Sequence, residues 1–154
     1  MKAASIKKSA HGDAHQDLVF ILKKHCLAIT KPRIKILALF YESENALENS
    51  LIEKKTQHRL DRITVYRTLQ AFLKKGIIHT VPTHDSFVRY ALCKAACDER
   101  GHHDNHLHFT CEKCRKTICI DKTEISISHL PGDYIIHKVD AILSGICDAC
   151  RITK

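Results

Sequence analysis

Four cysteines in two pairs carry the strongest chemical signal in this sequence. Cys111-x-x-Cys114 is followed, after 32 intervening residues, by Cys147-x-x-Cys150. Each pair offers two thiolates at a tight turn, and two such pairs complete a tetrahedron around zinc. Four sulfurs close the coordination sphere and leave no position for a substrate, so the site is read as structural. Residues 93–154 are short and poor in aromatics, and a segment of that size needs such a staple. The alternative is free or disulfide-linked cysteine, but paired Cys-x-x-Cys in a chain without secretory features points to metal.

A second, unequal set of donors lies just upstream, in His102-His103-Asp104-Asn105-His106-Leu107-His108-Phe109. In a strand His106 and His108 point to the same face and can share one ion. Imidazole suits several transition metals, so the other donors decide the metal. Candidates are His79, Cys93, Cys97, His102, His103 and Cys119. His102 and His103 alone read rather as a solvated polar stretch. Cys26, remote from the others in sequence, reads as a small buried apolar residue.

The elements that must hold these donors follow from periodicity. Leu18, Ile21, Leu22 and Leu27 suit a first helix starting near Asp17. Thr30 is an N-cap with Pro32 in the first turn of a second helix, which carries Ile34, Leu37, Ala38 and Tyr41 on one face. A third, shorter helix is predicted over Leu47–Lys55. Asp61 caps a fourth over Arg62–Gly76, in which Val65, Leu69, Phe72 and Leu73 form the buried stripe and Gly76 the left-handed cap. Tyr66, Arg67 and Gln70 fall off that stripe and face outward. Ile77–Val81 and Phe87–Leu92 flank a polar turn at Thr83–Ser86 and predict a hairpin. Helices followed by a hairpin make a winged helix-turn-helix over residues 1–92, behind a loose basic tail. Residues 93–104 read as a hinge. Residues 105–154 read as a small α/β unit, with strands around 106–110, 117–120 and within 134–146, and a short helix near 123–130. The fold class is α+β.

Charge separates the two parts. Residues 1–92 hold 16 Lys/Arg against 8 Asp/Glu, whereas residues 93–154 hold 9 of each. The whole formal excess of +8 therefore sits on the winged-helix side, which suggests a polyanionic partner there. No apolar run approaches the roughly 20 residues of a membrane span. The basic N-terminus is not followed by a signal-type apolar stretch, so a cytoplasmic protein is expected. A zinc hydrolase or deaminase would need a His-x-Glu with a following Pro-Cys-x-x-Cys, or a His-Glu-x-x-His, and neither occurs. An enzyme is not expected. A zinc-ribbon adaptor would leave the basic half and the outward Tyr66-Arg67 face unexplained.

Taken together, Thr30-x-Pro32-Arg33-x-x-Ile36-Leu37, Thr64-Val65-Tyr66-Arg67-Thr68-Leu69, His106-x-His108-Phe109-x-Cys111-x-x-Cys114 and Cys147-x-x-Cys150 make the chain resemble the ferric uptake regulator family across residues 17–150. The resemblance implies a homodimeric repressor of metal-uptake genes that binds an AT-rich inverted repeat in double-stranded DNA when loaded with metal. It makes the helix from Arg62 the recognition helix, with Tyr66 and Arg67 reaching the DNA. Arg62, Thr64 and Gln70 on the same helix, and Lys31 on the second, are further candidate contacts. Relatives often carry a basic residue shortly before the threonine of the second helix, where this chain has Ala28.

The departures from the family pattern bear on the metal. Iron-sensing members take a histidine just before the third helix, where this chain reads Ala46-Leu47, and a glutamate after the second wing strand, where it has Ala91. A family glutamate on the strand after the first cysteine pair corresponds to Cys119. The additional second-domain site of some relatives corresponds to Asn105, Leu107 and Val139, and is not expected. The zinc-sensing branch (zinc uptake regulators) is the better match. By its spacing the regulatory ligands are His79, Cys93, His106 and His108, with Cys119 as an additional candidate. Sulfur with imidazole favours zinc over iron(II) at this regulatory site, with iron(II) sensing the alternative and peroxide sensing less well matched. His79 and Cys93 adjoin the wing while His106 and His108 begin the second part. An ion held between them would act as a clamp on the hinge.

Overall fold

The computed structural model describes residues 14–56, 60–83, 87–93, 107–120, 132, 134–135 and 141–152. Helix α1 (Ala14–Lys24) buries Leu18, Ile21 and Leu22 along one face. It ends where the Leu27 N–H donates to the Leu22 carbonyl at 2.9 Å and the Cys26 N–H to the Lys23 carbonyl at 3.0 Å. That pair of bonds places Cys26 in the left-handed position glycine usually fills, with φ 54°. Its side chain is exposed, which corrects the expectation of a buried Cys26. The chain turns away from the core at this residue to leave the helix.

Helix α2 (Lys31–Glu42) starts as predicted: the Thr30 hydroxyl accepts the Arg33 N–H, and Pro32 sits in the first turn. It buries Ile36, Leu37 and Phe40. The Tyr41 hydroxyl donates to the Asp17 carboxylate at 2.5 Å and ties α2 to α1. This bond, more than burial or charge repulsion, raises the Tyr41 phenol above its ordinary value.

The third helix departs from expectation at its start. Leu47–Glu48 form a short strand, β1, and helix α3 covers Asn49–Thr56. Leu47 and Glu48 stand opposite Tyr90 and Arg89 of the wing, so strand pairing takes the two residues that periodicity assigned to the helix.

Helix α4 (Arg62–Lys74) is capped by Asp61, whose carboxylate accepts the Thr64 N–H at 2.9 Å and the Thr64 hydroxyl at 2.6 Å. Those bonds hold the Asp61 carboxyl below its usual range. Gly76, at φ 66°, closes the helix as read from sequence, with the Ile77 N–H on the Phe72 carbonyl. His25 Nδ1 lies 2.7 Å from the Lys75 carbonyl, joining the end of α1 to the end of α4.

Strands β2 (Ile78–Val81) and β3 (Arg89–Leu92) pair antiparallel from Ile78↔Leu92 to Val81↔Arg89. With β1 on the other edge of β3, the wing sheet has the order β1-β3-β2. Residues 84–86 of the predicted turn lie outside the described residues. The core of this part joins Leu22 of α1, Ile36, Leu37 and Phe40 of α2, Ile52 of α3, Leu69 and Phe72 of α4 and Ile78 of β2, each at most 2% exposed.

The C-terminal part is a second three-stranded sheet. Strands β4 (Leu107–Cys111), β5 (Thr117–Ile120) and β6 (Ala141–Gly145) take the order β5-β4-β6, with β4 antiparallel to β5 and parallel to β6. Parallel pairing requires a crossover. The predicted helix near 123–130 falls in that stretch and lies outside the described residues. Helix α5 (Asp148–Ile152), not anticipated from sequence, follows β6. The architecture is an N-terminal winged helix-turn-helix followed by a small α/β unit. A backbone bond from the Ala46 N–H to the Thr117 carbonyl, 2.9 Å, joins the two. Among the described residues no helix is long and apolar enough to cross a membrane.

Candidate metal centres

The four paired cysteines converge. Cys111 ends β4, Cys114 lies in the turn to β5, Cys147 follows β6 and Cys150 sits on α5, and their four sulfurs lie within 4.8 Å of one another. The turn is built for this: the Cys111 N–H donates to the Lys116 carbonyl at 2.9 Å and the Arg115 N–H to the Cys111 carbonyl at 2.8 Å. Arg115 takes the left-handed conformation that closes it, φ 59°. The second pair is docked onto the first by the Cys147 N–H, 3.4 Å from the Cys111 sulfur, and by the Glu112 N–H on the Gly145 carbonyl at 2.8 Å. Backbone N–H groups of Cys114 and Cys147 push the Cys111 thiol down to about 6. Hydrogen bonds with Cys114 and Cys147 push the Cys150 thiol up to about 12.

The set fits zinc. A tetrahedral ion with sulfurs at about 2.3 Å requires sulfurs about 3.8 Å apart. Cys114 Sγ and Cys147 Sγ are 3.8 Å apart. Four soft donors with no carboxylate among them are what a structural zinc takes.

A second group bridges the two parts of the molecule. His79 of β2, His108 of β4 and Cys119 of β5 present donor atoms within 4.8 Å of one another. His108 and Cys119 are register partners in the β4–β5 ladder and so share a face. His79 Nε2 lies 3.3 Å from His108 Nε2 and 3.7 Å from Cys119 Sγ. Both histidines are buried, each 6% exposed. Two imidazoles meeting nitrogen to nitrogen away from water need a shared proton or a shared ion to justify the burial.

Of the predicted regulatory ligands, the structure thus brings together His79, His108 and the additional candidate Cys119. Cys93 is buried beside them, but its sulfur lies 3.5 Å from Nδ1 of His79, the nitrogen on the other side of the ring. Its own N–H is held by the Ile77 carbonyl at 2.9 Å. His106, together with Cys97, His102 and His103, lies outside the described residues. A cavity of about 400 Å³ between α2, β3 and β5 has Cys93, Cys119, Asn45 and Tyr41 in its wall.

The candidate DNA contacts lie on the outer side of α4. Arg62, Tyr66, Arg67 and Gln70 are exposed, and Lys31 is exposed at the start of α2. Thr64 is half-buried, and its hydroxyl is taken by Asp61. Arg62 reaches sideways to Glu53, at 3.0 Å. One outward residue of this helix was not singled out from sequence: Ile63, 63% exposed. Its place at the midpoint between Tyr66 and Arg67 on the helical wheel was the available signal.

A model of the ferric uptake regulator family matches residues 24–130. The ferric uptake regulation protein of Staphylococcus epidermidis is 30% identical over 141 residues, covering 88% of this chain and 95% of that protein. Among solved structures, a zinc uptake regulator complexed with zinc and DNA superposes with a TM-score of 0.62 at 17% identity, covering 92% of this chain and 97% of that one. The Helicobacter pylori ferric uptake regulator does so with a TM-score of 0.53 at 21% identity, covering 90% and 91%. At those identities the two structures speak to the fold.

Proposed function

Since the chain belongs to the ferric uptake regulator family, and is therefore a metal-dependent transcriptional regulator and not an enzyme, we propose that it is a zinc-sensing repressor of metal-uptake genes. The observation that carries the zinc reading is the donor set of the second centre: two imidazole nitrogens and one thiol, with no carboxylate in the described cluster. Zinc accepts sulfur and imidazole in a tetrahedron, whereas iron(II) sensing favours oxygen donors. The position of the family glutamate is Cys119, in the cluster.

In this reading His79 Nε2, His108 Nε2 and Cys119 Sγ are the inner donors and His106 the candidate fourth. Cys93, on Nδ1, orients the His79 ring as outer partners of metal-bound histidines do. The ion, when bound, supplies a cross-link. His79 belongs to the wing sheet and His108 and Cys119 to the C-terminal sheet, so holding all three fixes the angle between the two parts. A homodimer through residues 105–154 then sets two α4 helices at the spacing of an inverted repeat. Moving the DNA-competent state from about 1% to 99% takes roughly 5.5 kcal/mol of preference, within the range of a few coordination bonds. In this reading Arg67 forks onto guanine, with Tyr66 and Gln70 beside it, while Arg62, Lys31 and the basic surface of residues 1–92 contact phosphate. Such a regulator works in the cytoplasm, with the chromosome, and AT-rich repeats are the expected targets.

Iron(II) sensing is the second reading, favoured by the name of the Staphylococcus epidermidis relative. Metal content measured against duplex binding, under reducing conditions with graded zinc and iron(II), separates the two. One tightly held zinc per chain, with a second zinc switching on DNA binding where iron(II) does not, is the expected result. Equal or better switching by iron(II) would overturn the zinc reading and leave the family assignment standing.

A further inference from the structure

The outward face of α4 carries an apolar side chain that no fold requirement explains. At about 100° per residue, the buried side chains Val65, Thr68, Leu69 and Phe72 cluster on one side of the helix, and Ile63 lies diametrically opposite them. Tyr66, Arg67 and Gln70 continue the same outer line. Ile63 and Tyr66 are each 63% exposed. A β-branched residue gains nothing for the helix at such a position and leaves apolar surface in water.

Its neighbours make Ile63 the outward-reaching group of the first turn. Arg62 is drawn aside to Glu53 at 3.0 Å. The Thr64 hydroxyl and N–H are both engaged by Asp61. The cap fixes this turn, and first-turn residues of a recognition helix are the ones that reach base edges. Each base pair offers the major groove hydrogen-bonding groups, but thymine alone adds an apolar group, its 5-methyl.

We propose that Ile63 is a specificity-determining residue that reads a thymine 5-methyl in each half-site, packing against it while Arg67 and Gln70 engage polar edges nearby. The inference rests on the reading of α4 as the DNA-contacting helix. It assigns thymine recognition to shape and apolar contact, independent of any hydrogen bond.

The test uses the full-length, zinc-loaded protein. Duplexes selected by it from a random-sequence pool are resynthesised with single thymines replaced by uracil, which removes only the methyl. One thymine per half-site should show about a fourfold loss of affinity on conversion to uracil, the worth of one buried methyl group. Ile63→Ala should bind the thymine and uracil duplexes equally, with zinc content and helicity unchanged, while Ile63→Val keeps most of the discrimination. A uracil penalty that persists undiminished in Ile63→Ala at every position, or no methyl-sensitive position at all, would overturn the proposal and leave the regulator reading intact. Failure to select any duplex at any metal loading would overturn the regulator reading and this inference with it.

Discussion

Replacing Cys111 by serine should unfold the C-terminal sheet while the winged helix stays folded. The two parts are stabilised by different means. The fourteen residues of the continuous apolar core all lie between Leu18 and Tyr90. Beyond Leu92 the buried described side chains are Cys93, His108, Cys111 and Thr117, with no buried Leu, Ile, Val, Phe or Met among them. Each of those aliphatic and aromatic types contributes about 1.5–3 kcal/mol when fully buried, a contribution the described part of the sheet lacks. A structural zinc is worth about 10–16 kcal/mol in small peptides, so an even share for one of four sulfurs is about 2.5–4 kcal/mol. That corresponds to a loss of roughly 70- to 900-fold in zinc affinity. Cys111 should lie at the upper end, because its buried sulfur also receives the Cys147 N–H and docks the second pair. Hydrogen exchange read by mass spectrometry reports both parts at once. Peptides from β4, β5 and β6 should lose protection in Cys111→Ser, and in wild type after strong chelation, while peptides from α2 and α4 keep theirs. Loss of protection in both parts together, or full protection of the sheet with no zinc bound, would refute the division.

Cys119→Ser should retain one zinc per chain but lose zinc-dependent DNA binding by tenfold or more. Cobalt(II) placed in the second centre should then lose its sulfur-to-metal absorption. Cys93→Ser should keep that absorption and weaken the second ion by about 10- to 100-fold, as loss of an outer partner does; disappearance of the band in Cys93→Ser would make Cys93 an inner donor. Phe72→Ala, at a fully buried position in α4, should cost the winged helix about 3–5 kcal/mol in urea unfolding. Loading zinc into metal-free protein near pH 7 should release the Cys150 proton, since that thiol sits near 12, whereas Cys111, near 6, is already largely ionised. The depressed Cys111 value contributes stability that is full above the ordinary thiol value of 9.0 and is lost as pH falls through about 6. Proton release followed with an indicator dye should therefore increase as the starting pH is lowered through 6.

The elements with strong local signals were legible in the sequence. Thr30, Asp61 and Gly76 mark helix ends because capping is decided by a few adjacent atoms, and all three do so in the structure. The four-sulfur cluster was legible for a similar reason: each pair is a local turn, and only the joining of two pairs is long-range. What escaped was decided by partners distant in sequence. Leu47–Glu48 leave the helix for β1 because Tyr90 and Arg89, some forty residues on, offer a strand edge. Cys26 reads as buried from its type, yet the bonds that end α1 turn it outward. In the second centre, spacing pointed to Cys93 as a ligand and to Cys119 only as an addition. The ladder that sets Cys119 opposite His108, and the side of the His79 ring each sulfur meets, are matters of register and side-chain direction that spacing does not contain.

The β4–β5 hairpin carries both centres. Cys111 and Cys114 lie at its closed end, and the opposed pair His108 and Cys119 lies three and five residues down its arms. On the division predicted above, the pairing that sets imidazole against thiol depends on the closed end being fastened. On that reading acquisition of ions is ordered in time: a newly made chain reports the second only after it has secured the first. If the second centre is the sensor proposed above, maturation becomes a prerequisite for sensing, and the response is separated from assembly. A cell too poor in metal to finish the hairpin would hold chains that are mute, not chains that misreport abundance.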